Sequence, residues 1–287
     1  MRLDDWEKSQ NIEDRRGSPS RGRIPLGGGR KIGVGTVVLA LAAWYFLGVN
    51  PLTFLSGDIS SMTGNTAYEE SSTNQVSDSE GVFIAKVLKT TETVWSHIYQ
   101  QQGWGTYPQP KLVLYTGATR SGCGTGRAQM GPFYCPADQK VYIDLSFFRD
   151  TGRMLGVHGD FAQGYVIAHE VGHHVQNHLG LLDKYQRAKQ NNPSQANRIS
   201  VMSELQADCF AGLWAHELAK EGRVIEPGDI EEAIEAAQAV GDDRIQQAQQ
   251  GYVVPDAFTH GSAKQRMAWL SRGLNSGDIR QCDTSKL

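Results

Sequence analysis

Residues 166–176 read VIAHEVGHHVQ, with three histidines inside six positions. They pose a choice between a metal-binding helix and an ordinary one. His169 and His173 are four apart, so a helix places both imidazoles on one face, one turn apart, where they can share a metal ion. Glu170 lies beside the first and can reach a water on that metal. Two histidine ligands with a carboxylate base at this spacing form the HExxH pattern of zinc sites. Small and apolar residues surround the motif in FAQGYVIAHEVGHHVQ (161–176), as a buried helix requires. A surface helix can also carry these five residues by coincidence, so the surrounding sequence decides.

A catalytic zinc takes three protein ligands and leaves one position for water. Downstream, SELQAD (203–208) offers Glu204, with Asp208 one helical turn on. Glu204 suits the third ligand. Asp208 suits an outer acid that accepts the free N–H of a zinc-bound histidine and fixes its tautomer. His174 and His178 turn away from the ligand face and read as packing or surface residues. His97, His158 and His216 have no partner in sequence and read as structural. His260 differs, because it sits in DAFTHGSAKQRMAWL just ahead of a helix.

The formal net charge of −3 lacks the basic excess of a nucleic-acid binder, so no nucleic-acid partner is expected. The 32 glycines show no period, and there is no internal repeat. Residues 32–49, IGVGTVVLALAAWYFLGV, carry no charge and approach the roughly 20 residues that cross a bilayer. Trp44 and Tyr45 fall at the distal end, an interfacial position. A cleaved signal is the alternative reading; the long charged stretch ahead and the absence of a small-x-small site disfavour it. Arg15, Arg16, Arg21, Arg23, Arg30 and Lys31 precede the run, and such residues stay in the cytoplasm.

The expectation is a single-pass protein of a bacterial inner membrane. Residues 1–31 form a basic cytoplasmic segment, 32–50 a transmembrane helix, 51–79 a flexible linker, and 80–287 a periplasmic or extracellular domain. Cys123, Cys135, Cys209 and Cys282 all lie in that domain without a CxxC pair, which suits disulfides in an oxidising compartment. Of three pairings, Cys123 with Cys135 is favoured by local closure, and Cys209 with Cys282 follows by elimination. KLVLYT (111–116) and KVYIDLSFF (140–148) read as strands, and the glycine-rich stretch between them as hairpin. Helical patterns cover 80–101, 160–179, 200–220, 229–240 and 262–272. Asp229 and Glu232 have capping-box spacing. The fold class is α+β, a small sheet with packed helices.

The stretches NIEDRRG, GPFYCPADQKVYIDLSFF, GDFAQGYVIAHEVGHHVQN, SELQADCFAG, GDDRIQ and FTHGSAKQRMAWL span nearly the whole chain. Together they resemble the bacterial neutral zinc metallopeptidase family, the YpfJ-like membrane proteins. HExxH followed by a helix with E-x-x-x-D is also similar to the gluzincins, in particular the CAAX-type and HtpX-type membrane proteases. That resemblance implies a zincin-like domain with one zinc per chain, held by His169, His173 and Glu204. It also implies that His260, with Arg266 six residues on, steadies an oxyanion. Here glycine rather than proline follows the histidine, and only one span is expected, so a helix-capping role for His260 stays open.

The implied activity is hydrolysis of a peptide or protein substrate by metal-activated water, with Glu170 as general base. KVYIDLSFF is the strand nominated to bind substrate by strand addition. A zinc hydrolase of a non-peptide amide, a catalytically silent zinc-fold interaction module, and an enzyme gated by a regulatory partner are the alternatives.

Overall fold

The computed structural model describes residues 1–17 and 76–287. In chain order they form β1 (Ile12–Asp14), α1 (Ser79–Gln102), β2 (Lys111–Tyr115), β3 (Ala118–Ser121), β4 (Gly124–Arg127), β5 (Phe133–Cys135) and β6 (Lys140–Asp144). Then follow α2 (Ser146–Leu155), α3 (Asp160–His178), α4 (Leu181–Asn191), α5 (Ala196–Lys220), α6 (Asp229–Ala239), α7 (Asp242–Gln250) and α8 (Ala263–Ser276). The expected membrane span at 32–50 and most of the linker lie outside the described residues. Among the described residues, no helix is long and apolar enough to cross a membrane.

Leu112, Val113, Leu114, Val141 and Ile143 are fully buried, which is why β2 and β6 read as unbroken apolar runs. The sheet order is β1-β2-β6-β5, with β1, β2 and β6 parallel and β5 antiparallel. β3 and β4 form a separate hairpin. The nominated substrate strand β6 is therefore paired on both sides, and the antiparallel edge belongs to β5. Nor does that strand extend to 148. Asp144 accepts hydrogen bonds from the Ser146 and Gly117 amides, which turns the chain directly into α2.

A larger correction concerns the N-terminus. Ile12, Glu13 and Asp14 pair in register with Leu112, Val113 and Leu114, and Met1, Leu3 and Ile12 are buried in the main core. Arg16 lies 2.6 Å from both Asp14 and Asp78 carboxylate oxygens, so the chain is clasped where it leaves after residue 17 and where it returns at 76. Asp78 also caps α1 by accepting from the Gly81 amide at 2.9 Å. Residues 1–17 thus belong to the same unit as 76–287, not to a separate 1–31 segment.

Behind the sheet, α3 packs on α5 and α5 on α8. A Cβ on Gly172 would lie 3.1 Å from the Ala207 carbonyl, and one on Gly273 only 2.0 Å from the Cys209 carbonyl. The absence of side chains at these crossings lets the three helices converge. Cys123–Cys135 and Cys209–Cys282 are bonded as expected; the second joins α5 to the C-terminal tail.

Candidate metal centre

Helix α3 carries the HExxH residues, and its start is held from outside. Glu232 of α6 accepts from the Phe161 amide at 3.1 Å, so it caps α3 and not its own helix. Asp229, expected as the capping-box start, is the first residue of α6. Its carboxylate accepts from the Glu226 amide and, like that of Asp160, from the α-amino group of Met1 at 2.9 Å.

The convergence of α3 and α5 brings His169, His173 and Glu204 together, with one donor atom from each within 4.8 Å of the others. His169 Nε2 is 3.2 Å from Glu204 Oε2, and His173 Nε2 is 3.5 Å from Glu204 Oε1. Donors about 2.0–2.2 Å from a shared tetrahedral zinc would be about 3.3–3.6 Å apart. The two imidazoles and one carboxylate therefore fit zinc both in donor type and in spacing. Glu170, on the same helix, is 8 % exposed, and its charge acts on the His173 ring.

Asp208 stands behind His169. It is fully buried and accepts from His169 Nδ1 at 2.8 Å, Tyr165 Oη at 2.7 Å, and Arg266 Nε and a terminal nitrogen at 2.9 Å each. Burial alone would raise its pKa, but Arg266 and His169 hold it down at about 2. Burial alone would likewise depress His169; Asp208, then Glu204, raise it to about 9 in the metal-free protein. His173 is also raised, because Glu204 outweighs the desolvation of its ring. On the other side of the pair, burial alone would raise Glu204, and His173 and His169 bring it well below the usual carboxylate range.

Arg266, implied to steady an oxyanion, is 5 % exposed and bonds Asp208 and the Val240 carbonyl. It holds Asp208, which in turn bonds His169 Nδ1. His260 does stand in an open loop, with its side chain about half exposed. Asp242 organises that loop, accepting from the Thr259, His260 and Gly261 amides and from His260 Nδ1 at 3.1 Å. That hydrogen bond lifts the His260 pKa against desolvation, and the charge of Glu204 adds to it. Gly261 has φ of +100° and packs against Leu205, next to Glu204. Proline, with fixed negative φ and no N–H, cannot occupy this position. The departure from the implied histidine–proline pair therefore reflects a differently built loop, packed on Leu205 and Val201.

Tyr165, Gln176 and Asp242 were not singled out in the sequence. Gln176 accepts from His173 Nδ1 at 2.8 Å. His174 is structural, as its helical position implied: it is held by Tyr134 and the Pro108 carbonyl, and burial lowers its pKa to about 4. A pocket of about 230 Å³ lies one turn before His169, lined by Leu145, Phe147, Phe148, Val166 and Val240 together with Glu80 and Arg149.

Comparison with known proteins agrees with this geometry. Residues 1–285 match the family described as "putative neutral zinc metallopeptidase". YpfJ of Escherichia coli K12 is 51 % identical over 99 % of this chain and 98 % of its own length. Mb2605 of Mycobacterium bovis is 44 % identical over 62 % of this chain and 63 % of its own. No solved structure matches.

Proposed function

Because this chain belongs to the family of neutral zinc metallopeptidases, a family of hydrolases, we propose that it cleaves peptide bonds by attack of water, with Glu170 as general base. The observation that carries this reading is the convergence of donor atoms of His169, His173 and Glu204 to within 4.8 Å of one another, beside a buried glutamate that is not itself in the donor cluster. Zinc, when bound, would polarise a carbonyl oxygen and acidify a water. Glu170 takes the proton of the attacking water and passes it to the leaving amine. His260, oriented by Asp242, supplies a donor for the developing oxyanion. Asp208, Tyr165 and Arg266 keep His169 in register. β5, the antiparallel edge, offers its backbone to an extended substrate, and the pocket beside Val166 takes an apolar side chain next to the scissile bond.

The test is made on purified full chain in detergent. Wild type and Glu170→Gln should each bind one zinc per chain, while Glu204→Ala should bind much less. Only wild type should cleave an unstructured protein. Equal cleavage by Glu170→Gln would remove that residue as the base.

For localisation, the apolar run 32–49 supports membrane association, and the two disulfides support an oxidising compartment. The β1–β2 pairing supports residues 1–17 and 76–287 sharing that compartment. Membrane-impermeant labelling of single cysteines placed at exposed Lys8 and exposed Lys286 tests this. Opposite accessibility would rule it out.

A further inference from the structure

We infer that the Ser203 carbonyl and the C-terminal tail together set the tautomer of His173 through a chain of two buried amides, so that Gln176 and Gln206 are positioning residues for a metal ligand. The inference rests on reading His173 as that ligand. The chain starts at the main-chain carbonyl of Cys282, which can only accept. Gln206 Nε2, 3.0 Å away, must therefore donate to it. That turns Gln206 Oε1 toward Gln176 and Tyr185, where it accepts from Gln176 Nε2 at 3.0 Å and from the Tyr185 hydroxyl at 3.1 Å.

The Ser203 carbonyl makes the same demand on Gln176 Nε2, at 2.8 Å. Both donor bonds of Gln176 are then committed, and its Oε1 is left facing His173 Nδ1 at 2.8 Å. An amide oxygen cannot donate, so Nδ1 carries the proton. In the neutral ring Nε2 then keeps its lone pair on the side of Glu204, 3.5 Å away. Main-chain acceptors at both points thus fix amide orientations that side chains alone would leave open.

Burial makes the arrangement hard to reverse. Gln176 is 0 % and Gln206 6 % exposed, so flipping either amide would set donor against donor and acceptor against acceptor with little water to compensate. The Cys282 carbonyl is itself held in place, because Cys282 is bonded to Cys209 on α5 and the Thr284 hydroxyl meets Tyr185 at 2.9 Å. The two ligand histidines are thereby supported in different ways. His169 leans on a carboxylate, both of whose oxygens accept. His173 leans on a neutral amide that has a direction, and that direction comes from the Ser203 carbonyl and, through Gln206, from the tail.

The experiment uses the full chain. Zinc affinity is measured by chelator competition for wild type, Gln176→Met, Gln206→Met and the paired Cys209→Ala/Cys282→Ala variant. The histidine ring nitrogens of the metal-free protein are followed by NMR as pH is raised until the His173 ring is neutral. Wild type should show His173 as a single tautomer protonated at Nδ1. Gln176→Met should bind zinc about tenfold to a hundredfold more weakly, the range for loss of a ligand's outer partner. Gln206→Met and the cysteine pair should weaken it several-fold and give mixed tautomers at His173. A neutral wild-type ring protonated at Nε2 and not at Nδ1 overturns the inference even if no variant folds. So does zinc affinity within twofold of wild type in both glutamine variants. Wild type that binds no zinc at all would instead remove the metal reading beneath it.

Discussion

Asp208→Asn should separate two jobs that one carboxylate performs. Four donor atoms converge on this fully buried group at 2.7–2.9 Å, from Tyr165, His169 and Arg266. Asparagine keeps the shape but removes the charge and turns one acceptor into a donor. The best orientation leaves the amide oxygen to His169 and Tyr165 and sets the new N–H₂ against Arg266 Nε. Arg266, 5 % exposed, becomes a buried cation without its anion, and breaking such a pair costs about 3–5 kcal/mol. His169 keeps an acceptor, though a weaker one, so zinc affinity should fall about tenfold to a hundredfold. Adding Arg266→Met removes the orphaned charge. The double variant should regain most of the lost stability while its zinc affinity stays low. Denaturant unfolding of the metal-free full chain and chelator competition read the two quantities separately. A folded Asp208→Asn variant with wild-type zinc affinity would refute the role assigned to Asp208. A double variant no more stable than the single one would refute the orphaned-cation account.

Metal-free His169, raised from 6.5 to about 9, stabilises the fold fully below pH 6.5, and that contribution is lost as pH rises through about 9. Unfolding midpoints of the metal-free protein should fall across this window, while zinc affinity rises across it because zinc must displace the same proton; pH-independent zinc affinity would contradict both. Ala162→Trp should fill the pocket beside Val166, lowering kcat/KM for peptides with a bulky apolar residue at the scissile bond far more than for glycine at that place. Equal losses for both peptides would separate the pocket from the substrate. Gly273→Ala puts a Cβ 2.0 Å from the Cys209 carbonyl and should destabilise the fold by at least about 1–3 kcal/mol in denaturant titrations.

The donors of the centre were legible because they obey helix periodicity within two short stretches. His169 and His173 are one turn apart on α3, and Glu204 and Asp208 one turn apart on α5. What escaped depends on contacts distant in sequence. β1 is a three-residue strand reading IED, with one apolar residue and a partner about a hundred positions away, so no alternation announces it. Arg15 and Arg16 read as a topology signal because nothing local shows them paired with Glu13, Asp14 and Asp78. Gln176 lies inside the quoted motif, yet only the approach of α5 and the tail gives its amide a direction. Asp242 was legible only as part of a polar run, since its partners are the amides of a loop after α7.

A buried Arg–Asp pair is a costly support, and an apolar pair of similar volume is often as stable or more so. Its presence behind His169 follows from what a zinc ligand at that position would need. Zinc requires Nε2 free of a proton, hence Nδ1–H donating to an obligate acceptor. A lone carboxylate buried at this depth would be driven toward its protonated form and could then donate to the ring, turning the tautomer the wrong way. Arg266 outweighs that burial and keeps Asp208 ionised, at about 2. The same end of α8 places His260 on the open side of the ligands and Arg266 on the closed side. Arg266→Met should therefore raise the Asp208 pKa and add a second acidic edge to the zinc-binding profile, with affinity falling as pH drops through the raised value. A profile superimposable on wild type in chelator competition across the acidic range would show that Asp208 stays ionised without the arginine.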